Sequence, residues 1–371
     1  MKQQYHHYIP QFILKNFAVD DYHKKSSQRS IIKQYDLKLH QTTEVLIKRA
    51  YGCFNMYKDV NNTVDLMFVE RKLADLESKA SLVINKIKRT NPNEEFSILR
   101  SELYIIKKFL FIMCYRKPYR RNQYLNENFD KLTIDDITKY KNMKGFNNYS
   151  DIWLDNIKQI LTLPKEEILK FNNGIPKTRS DDKLYHVVHS DYVANIMYFM
   201  CVWYAEEGTE FILTDSNFGL YEGYYPFVIY HTFYVITPKI AIVFCNTCLR
   251  KDFPVNPIYV SLNLPSSWFS DDIHLSPKVR YWDGNKYCKQ PLKKEDIGDD
   301  DEFTYRLKVV PAKAVHLVNL IAINECDEFI TYKTEQCMLK SIRFYELDNR
   351  SKNNYSYFKN ELVRYINRTH S

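Results

Sequence analysis

Glycine is scarce in this chain, with 8 of 371 residues. Loops that wrap a phosphate need several glycines close together, because glycine tolerates backbone conformations that bring the chain near the ligand. The sequence contains no glycine-rich nucleotide-binding signature, and it also lacks a nucleophile-elbow or protein-kinase signature. These absences exclude the classes of protein that those signatures define.

Long apolar runs are also missing. The longest, from Ile196 to Ala205, has half of the ~20 residues that a membrane-spanning helix needs. The N-terminus lacks the apolar region of a signal peptide, and the 8 cysteines show no spacing that indicates a disulfide framework. We therefore expect a soluble cytoplasmic protein with reduced thiols and no membrane partner.

No single block of like charge dominates the sequence, although 53 Lys and Arg against 45 Asp and Glu give a formal net charge of +8. The excess favours an acidic partner such as nucleic acid. An alternative interpretation is compositional, because Lys, Asn, Tyr and Ile are all abundant, as in an AT-rich coding sequence. Both interpretations stay open at this point.

Helical periodicity governs the first half of the chain. Apolar residues recur every three or four positions from Val64 to Arg89 and again from Glu94 to Tyr115, the spacing of amphipathic helices. A short helix is predicted from Pro10 to Val19, and Ile31–Leu39 with Thr43–Lys48 form a predicted hairpin. Further helices are predicted at Ile134–Met143, Tyr149–Leu163, Pro164–Phe171 and Asp181–Ala205.

The second half changes to β-strand character. β-branched and aromatic residues dominate the predicted strands, which are Glu210–Thr214, Tyr225–Tyr230, Thr232–Ile236, Ile240–Phe244, Phe303–Val310 and Phe329–Thr331. Ala312–Asn324 is predicted to be a covering helix. We therefore predict an α+β fold, in which an N-terminal hairpin and a layer of long helices join a C-terminal antiparallel sheet.

We expect residues 1–335 to form one integrated unit. It comprises the opening motif, hairpin and helix pair in residues 1–130, a helical part in residues 131–205 and a mainly β part in residues 206–335. Residues 336–371 are basic and polar, and we expect them to form a C-terminal extension.

The opening residues contain the first candidate site. His6 and His7 precede Pro10, which is well placed to begin a helix. A helix N-terminus lowers the pKa of a nearby histidine and favours the neutral form that a general base or metal ligand needs. The alternative is that a histidine only anchors the chain end by hydrogen bonds. His7 is the candidate that we carry forward.

The two long helices supply charged candidates. Glu77 lies between apolar positions of the first helix, and Arg116 extends the apolar stripe of the second, so the two are predicted to form an inward-facing ion pair. Arg120 and Arg121 follow shortly afterwards and are candidates for gripping a phosphate. A solvent-exposed helix end is the alternative for these last two.

A polar tetrapeptide, Thr214-Asp215-Ser216-Asn217, follows a predicted strand. Short polar side chains at the end of a strand are typical of functional sites and also of turns. Asp215 is therefore a candidate catalytic residue, and Asn217 is a candidate for contacting substrate.

Two cysteine and histidine patterns carry weaker signals. Cys245-x-x-Cys248 is half of a zinc site without a second half, and His186-x-x-His189 lacks a convincing third ligand. We expect both patterns to be structural, and the metal that this chain binds, if any, stays unknown.

The opening motif also carries a family resemblance. His7-Tyr8-x-Pro10-x-Phe12-x-Leu14-x-x-Phe17 resembles the first motif of an uncharacterised domain family found in bacteria and fungi. The likeness continues through the helix with Glu70 and Glu77, the segment Arg116-x-Pro118, the tetrapeptide at 214–217 and Tyr234-Val235-Ile236-Thr237-Pro238-Lys239. The family has no established function. The resemblance implies that these polar residues converge, and it implies no reaction.

Two functional hypotheses follow from these candidates. The first is a nuclease-like phosphodiester hydrolase, with His7 as general base or metal ligand, Arg116 stabilising phosphate charge, and Glu77 or Asp215 orienting groups or binding Mg²⁺ or Mn²⁺. The second is a non-catalytic module that binds nucleic acid or protein through its basic and tyrosine-rich surface. A purely architectural role for the polar motif is the third interpretation.

Overall fold

The computed structural model describes residues 4–19, 30–39, 41–59, 64–164, 188, 191–192, 195, 197–224, 228–250, 265–290, 297–348 and 350. The chain divides into two units, each assembled from separate stretches of sequence. The first unit comprises Met1–Tyr8, Gly52–Val83 and Glu102–Met197, and the second comprises Ile9–Tyr51, Ile84–Ser101 and Tyr198–Ser371. Our expectation of one integrated unit over residues 1–335 stays a prediction.

The elements follow one another in a mixed order. The strands are β1 (Tyr5–His7), β2 (Ile31–Asp36), β3 (Gln41–Leu46), β4 (Gly52–Phe54), β5 (Glu95–Leu99), β6 (Phe199–Ala205), β7 (Leu213–Thr214), β8 (Phe218–Tyr224), β9 (Val228–Val235), β10 (Ile240–Cys245), β11 (Lys278–Trp282), β12 (Tyr287–Cys288), β13 (Glu302–Val310) and β14 (Phe329–Tyr332). The helices are α1 (Gln11–Leu14), α2 (Phe68–Arg89), α3 (Arg100–Tyr115), α4 (Pro118–Leu125), α5 (Lys131–Lys144), α6 (Tyr149–Thr162), α7 (Ala312–Asn324) and α8 (Glu335–Leu347). The predicted α+β class is confirmed.

The first unit combines a short ribbon with helices. In the ribbon, β1 pairs antiparallel with β4. α2 and α3 bury the apolar stripes that their periodicity predicts, because residues three and four apart share one face of a helix. The buried positions of this unit include Leu73, Leu76, Ala80, Ile106, Phe109, Leu110, Met113 and Trp153.

The second unit is organised around a large sheet. Its strands lie in the order β12-β11-β13-β6-β10-β9-β8, and β5 also pairs with β13. The sheet is antiparallel, as predicted, except where β13 runs parallel to β6. The hairpin from β9 to β10 turns where Thr237 Oγ1 accepts hydrogen bonds from the backbone N–H groups of Lys239 and Ile240, at 3.0 and 2.9 Å.

A smaller sheet of the second unit has the order β3-β2-β14-β7. The predicted hairpin forms its β2 and β3 strands. α7 contacts β7 and β8, and α8 packs against α7. α8 lies within residues that we expected to belong to a basic extension, and its Met338, Ser341, Ile342 and Tyr345 are buried.

Two predicted helices are wrong in part. Residues 95–99 form β5 instead of the first turn of a helix, because Phe96 and Ile98 are buried while Glu95 and Ser97 are exposed, an alternation that suits pairing with β13. Residues 199–205 form β6 instead of a helix end. A continuous apolar run fits a central strand as well as a helix, and periodicity alone does not separate the two.

Two predicted strands, Tyr225–Tyr230 and Thr232–Ile236, correspond to one longer strand, β9, and β8 precedes it. His231, which interrupted the apolar pattern, is fully buried within β9. All of the predicted helix at Pro164–Phe171 except Pro164 lies outside the described residues, and so do residues 351–371 of the expected C-terminal extension. Within the described ranges, no helix is both long and apolar enough to cross a membrane.

Candidate functional site

Pairing between β1 and β4 decides which of the two histidines is buried. Successive side chains of a strand point to opposite faces, so His6 faces the interior while Tyr5 and His7 lie half-buried on the other face. The rings of Tyr5 and His7 are perpendicular, with centroids 5.3 Å apart. Gly52 permits this close pairing, because a Cβ atom there would lie 2.6 Å from the carbonyl oxygen of His6.

The His6 imidazole is fixed by one hydrogen bond and one ring contact. Its Nδ1 accepts a hydrogen bond from the backbone N–H of Tyr57 at 3.0 Å, and the two rings are nearly parallel with centroids 5.5 Å apart. Burial, followed by the neighbouring His7, lowers the pKa of His6 and favours its neutral form. Because Nδ1 is the acceptor, neutral His6 carries its proton on Nε2.

Arg116 lies directly after α3 and is buried, with 1% of its surface exposed. Its Nε donates to the backbone carbonyl oxygen of Tyr8 at 3.0 Å, and its Nη1 donates to Glu77 Oε1 at 2.7 Å. The Glu77 side chain is 26% exposed, so the pair reaches partly toward solvent. The predicted ion pair between Glu77 and Arg116 is therefore present.

Three buried polar atoms lie on neighbouring side chains of this site. For the part of the chain that the structure describes, no hydrogen-bond partner is found for His6 Nε2, Tyr57 Oη and Arg116 Nη2. The Tyr57 ring connects them, since it stacks with His6 and its centroid lies 6.0 Å from Arg116 Cζ. Buried polar atoms are normally satisfied, and each of these three can donate a hydrogen bond. Because all three atoms are hydrogen-bond donors, they are suited to binding an anion, which accepts hydrogen bonds.

A second carboxyl group, Glu70, belongs to the same surroundings. It lies on α2 seven residues before Glu77, on the same face of the helix. Burial raises the pKa of Glu70, the positive charge of Arg116 opposes this change, and the negative charge of Glu77 adds to it. Glu70 therefore retains its proton to higher pH than an exposed glutamate does, while Glu77 is paired with Arg116.

Arg120 and Arg121 have partners within the first unit. Arg120 Nη2 donates to Asp191 Oδ2 at 3.0 Å, and its guanidinium lies 5.0 Å from the ring centroid of Tyr115. The Arg121 guanidinium lies 6.0 Å from the ring of Trp153. Substrate contact by either arginine stays a prediction.

Asp215 and Asn217 belong to the second unit. The Asp215 carboxylate accepts hydrogen bonds from the backbone N–H groups of Asp327, Glu328 and Phe329, at 3.0, 2.5 and 3.1 Å. Burial raises the pKa of Asp215 to about 6, although these N–H groups oppose the change. Asn217 Nδ2 donates to the carbonyl oxygen of Val235 at 3.2 Å. These contacts tie the tetrapeptide to its own unit.

Sequence reasoning missed Tyr57 and favoured His7 over His6. Tyr57 stood in an aromatic-rich connection without periodicity, so no signal marked it. Strand alternation predicts that only one of two adjacent histidines faces inward, but the sequence does not say which face is the interior. The role assigned to His7 stays a prediction.

Of the Cys245-x-x-Cys248 pattern, Cys245 is buried in the second unit and Cys248 is half-buried. Cys245 Sγ donates to Cys201 Sγ at 3.7 Å, and burial raises the pKa of Cys245 well above its usual range. His186 and His189 lie outside the described residues. The described part of the chain contains no group of three or more His, Cys, Asp or Glu side chains placed to hold a metal ion.

The fold and the site define an α+β protein whose first unit surrounds a buried arginine with carboxyl, imidazole and phenol groups. A family model described as "Protein of unknown function (DUF4238)" matches residues 5–336. The chain belongs to this family, and the predicted membership of an uncharacterised domain family is confirmed. No curated protein and no solved structure matches the chain.

Proposed function

We propose that the first unit binds a phosphate group of nucleic acid and hydrolyses a phosphodiester bond there. The observation that carries this proposal is a set of buried donors, on His6, Tyr57 and Arg116, that have no hydrogen-bond partner among the described residues. Guanidinium, phenol and imidazole N–H or O–H groups are the donors that recognise phosphate oxygens in proteins. A phosphate would accept from them and satisfy all three.

Charge supports the same ligand. The Arg116 guanidinium is a permanent cation, and in a buried site its attraction to an anion is stronger than in water. Glu77 neutralises part of that charge and fixes two sides of the guanidinium together with the Tyr8 carbonyl. Glu77 is therefore a positioning residue in this proposal, and Nη2 is the group that would contact the ligand.

Glu70 is available for proton transfer in this site. In the proposed reaction, water attacks phosphorus, a general base takes the proton of that water, and Glu70 donates its proton to the leaving oxygen. The products are a phosphomonoester and a free hydroxyl group. A carboxyl group with a raised pKa suits the role of acid. We assign no residue as the base, because His7 lies on the face of β1 opposite to His6.

The proposal places the chemistry in the first unit alone. The Asp215 oxygens are engaged by backbone N–H groups of the second unit, so we assign Asp215 no catalytic step. The atoms of His6, Tyr57 and Arg116 are closed to solvent, so ligand entry requires local opening around them. The use of Mg²⁺ or Mn²⁺ is part of the proposal that the assay below addresses, and a cytoplasmic location is proposed alongside it.

A cleavage assay tests the proposal directly. Purified full-length protein is incubated with end-labelled single- and double-stranded DNA and RNA, with Mg²⁺, Mn²⁺ or a chelator. We expect cleavage by the wild type and a loss of about tenfold or more in kcat/KM for Tyr57→Phe, since one transition-state hydrogen bond to a charged group contributes about 1.5–3 kcal/mol. Glu70→Gln should abolish the step that needs an acid.

Tyr57→Phe is a clean probe because it removes a hydroxyl group that has no partner among the described residues. Tyr51→Phe is the matched control, since its hydroxyl bonds to Thr331 Oγ1 at 2.9 Å within the second unit. Tyr51→Phe should lower stability and leave kcat/KM unchanged. Salt-sensitive binding of nucleic acid without cleavage under any condition would favour the non-catalytic binding module instead.

A further inference from the structure

A second buried polar cluster lies in the second unit and shares no residue with the proposed site. Glu222 on β8 and His231 on β9 are directly opposite each other in the sheet. His231 Nδ1 lies 2.7 Å from Glu222 Oε2, and His231 Nε2 lies 2.7 Å from His274 Nε2. All three side chains are buried. They form a continuous hydrogen-bonded chain of one carboxyl group and two imidazoles.

This chain attaches residues 265–275 to the sheet. Glu222 Oε1 accepts from the backbone N–H of Trp268 at 2.9 Å, and its Oε2 accepts from Ser267 Oγ at 3.3 Å. Elsewhere in the segment, Trp203 Nε1 donates to the Ile273 carbonyl oxygen at 3.2 Å. Glu222 and His274 therefore hold the segment at both of its ends.

We propose that Glu222, His231 and His274 form a pH-sensitive latch that holds residues 265–275 against β8 and β9 and releases them on acidification. The geometry limits how many protons the latch can carry. With Glu222 ionised and both rings neutral, His231 donates to Glu222 through Nδ1 and accepts from His274 through Nε2. Each contact then has one donor and one acceptor.

Additional protons have different effects on the latch. One further proton enters at Nδ1 of His274 and leaves both hydrogen bonds intact, with the positive charge balanced by Glu222. A second further proton places N–H groups on both of the nitrogens that face each other at 2.7 Å. Two donors at that distance repel, so the contact between His231 and His274 breaks and the segment loses one of its attachments.

Other ionisable groups face this cluster from the surrounding elements. Cys245 on β10 and Tyr230 on β9 are a thiol and a phenol, and burial raises the pKa of both, so they are neutral in the range of this switch. The Arg350 guanidinium lies 4.9 Å from the ring of Trp268 and interacts electrostatically with Glu222. Its positive charge disfavours added protons on the two imidazoles while the latch is closed. The released state then binds these protons more tightly, so Arg350 adds to the release at low pH.

Hydrogen exchange of the full-length chain tests the latch. Exchange of a peptide covering residues 265–275 is followed by mass spectrometry from pH 8 to pH 4.5 and corrected for the intrinsic pH dependence of exchange. We expect protection at pH 8 and a loss of about tenfold or more at the acid end, while peptides from α7 remain protected throughout. Equal corrected protection at both ends of the pH range would overturn the proposal.

Two variants separate the latch from general acid sensitivity. His274→Gln keeps a side chain that can bond to His231 but cannot take a proton, so protection of 265–275 should no longer depend on pH. Glu222→Gln removes the negative charge that balances a protonated imidazole in the closed latch. The closed latch then tolerates added protons less well, so release should move to higher pH. His316→Gln, at a histidine that bonds to Ser341 at 3.0 Å outside the latch, should behave as the wild type. A wild-type pH response in both latch variants would refute the assignment.

Discussion

His6 accepts a hydrogen bond from the backbone N–H of Tyr57 while its ring lies parallel to the Tyr57 ring. One side chain thus fixes both the backbone and the ring position of another. The hydrogen bond also determines the tautomer of His6, because a neutral imidazole that accepts at Nδ1 donates at Nε2. The orientation of the donors around Arg116 depends on this relationship.

The first prediction concerns the two adjacent histidines. His6→Ala leaves the buried N–H of Tyr57 without its acceptor and should lower the free energy of unfolding by about 2–3 kcal/mol. His6→Asn should recover about 1 kcal/mol of this, because its Oδ1 can accept in place of Nδ1. Chemical denaturation measures both changes. His7→Ala is the control, and a loss as large as that of His6→Ala would contradict the assignment of His6 as the anchor.

The second prediction concerns the ion pair. Arg116→Lys cannot donate to Glu77 and to the Tyr8 carbonyl oxygen in the same fork geometry, so we expect a loss of about 3 kcal/mol. Glu77→Gln leaves the buried guanidinium without its counter-charge and should also destabilise. A double-mutant cycle is made from Arg116→Met, Glu77→Gln and the variant with both changes, and the double change should cost less than the sum of these two single changes. Additive losses in this double-mutant cycle would show that the pair is not coupled.

The third prediction concerns pH and Glu70. Its pKa is raised in the folded protein, so the folded state holds this proton more tightly than the unfolded chain. The stability that results is present below the unfolded pKa and is lost as pH rises through the folded pKa. Glu70→Gln should therefore gain stability relative to the wild type between pH 4 and pH 8, measured by thermal denaturation.

A glutamate with the opposite shift provides the control for that pH series. The hydrogen bond from Lys278, at 2.9 Å, lowers the pKa of Glu95. Its contribution is present above the unfolded pKa and is lost as pH falls, so Glu95→Gln should show the opposite trend, with a small amplitude because the side chains are exposed. If stability relative to the wild type changed with pH in the same direction for Glu70→Gln and Glu95→Gln, the buried surroundings that we assign to Glu70 would be wrong.

The fourth prediction concerns Asp215. Asp215→Ala removes the acceptor of three backbone N–H groups at residues 327–329, and we expect a loss of about 2–4 kcal/mol in the free energy of unfolding. Hydrogen exchange of residues 326–332 should rise in parallel. Asp283→Ala is the matched control, because Asp283 accepts from backbone N–H groups in a solvent-accessible turn. Water can accept from those N–H groups in place of Asp283, so Asp283→Ala should lower the free energy of unfolding by less than Asp215→Ala does.

The structure also shows where local patterns suffice and where they fail. The long apolar stripe of α2 and the alternation in β2 and β3 predicted those elements, because each presents one face to an interior. β5 and β6 were mistaken for helix because their apolar residues fit more than one periodicity. Their strand conformation depends on β13, a partner about 100 to 200 residues further along the chain.

In the candidate site, too, local sequence patterns predicted some features, and contacts between distant residues decided the others. Helical spacing in the sequence was enough to bring Glu77 and Arg116 onto inward faces, since position on a helix fixes the direction of a side chain. The choice between His6 and His7 came from tertiary structure, because only pairing of β1 with β4 defines which face of the strand is buried. The contacts of Tyr57, and the joining of Glu222, His231 and His274, also depend on elements that meet only in the folded chain. The sequence by itself determined the composition, the charge, the helical stripes and the family, and tertiary packing decided which polar atoms share an interior.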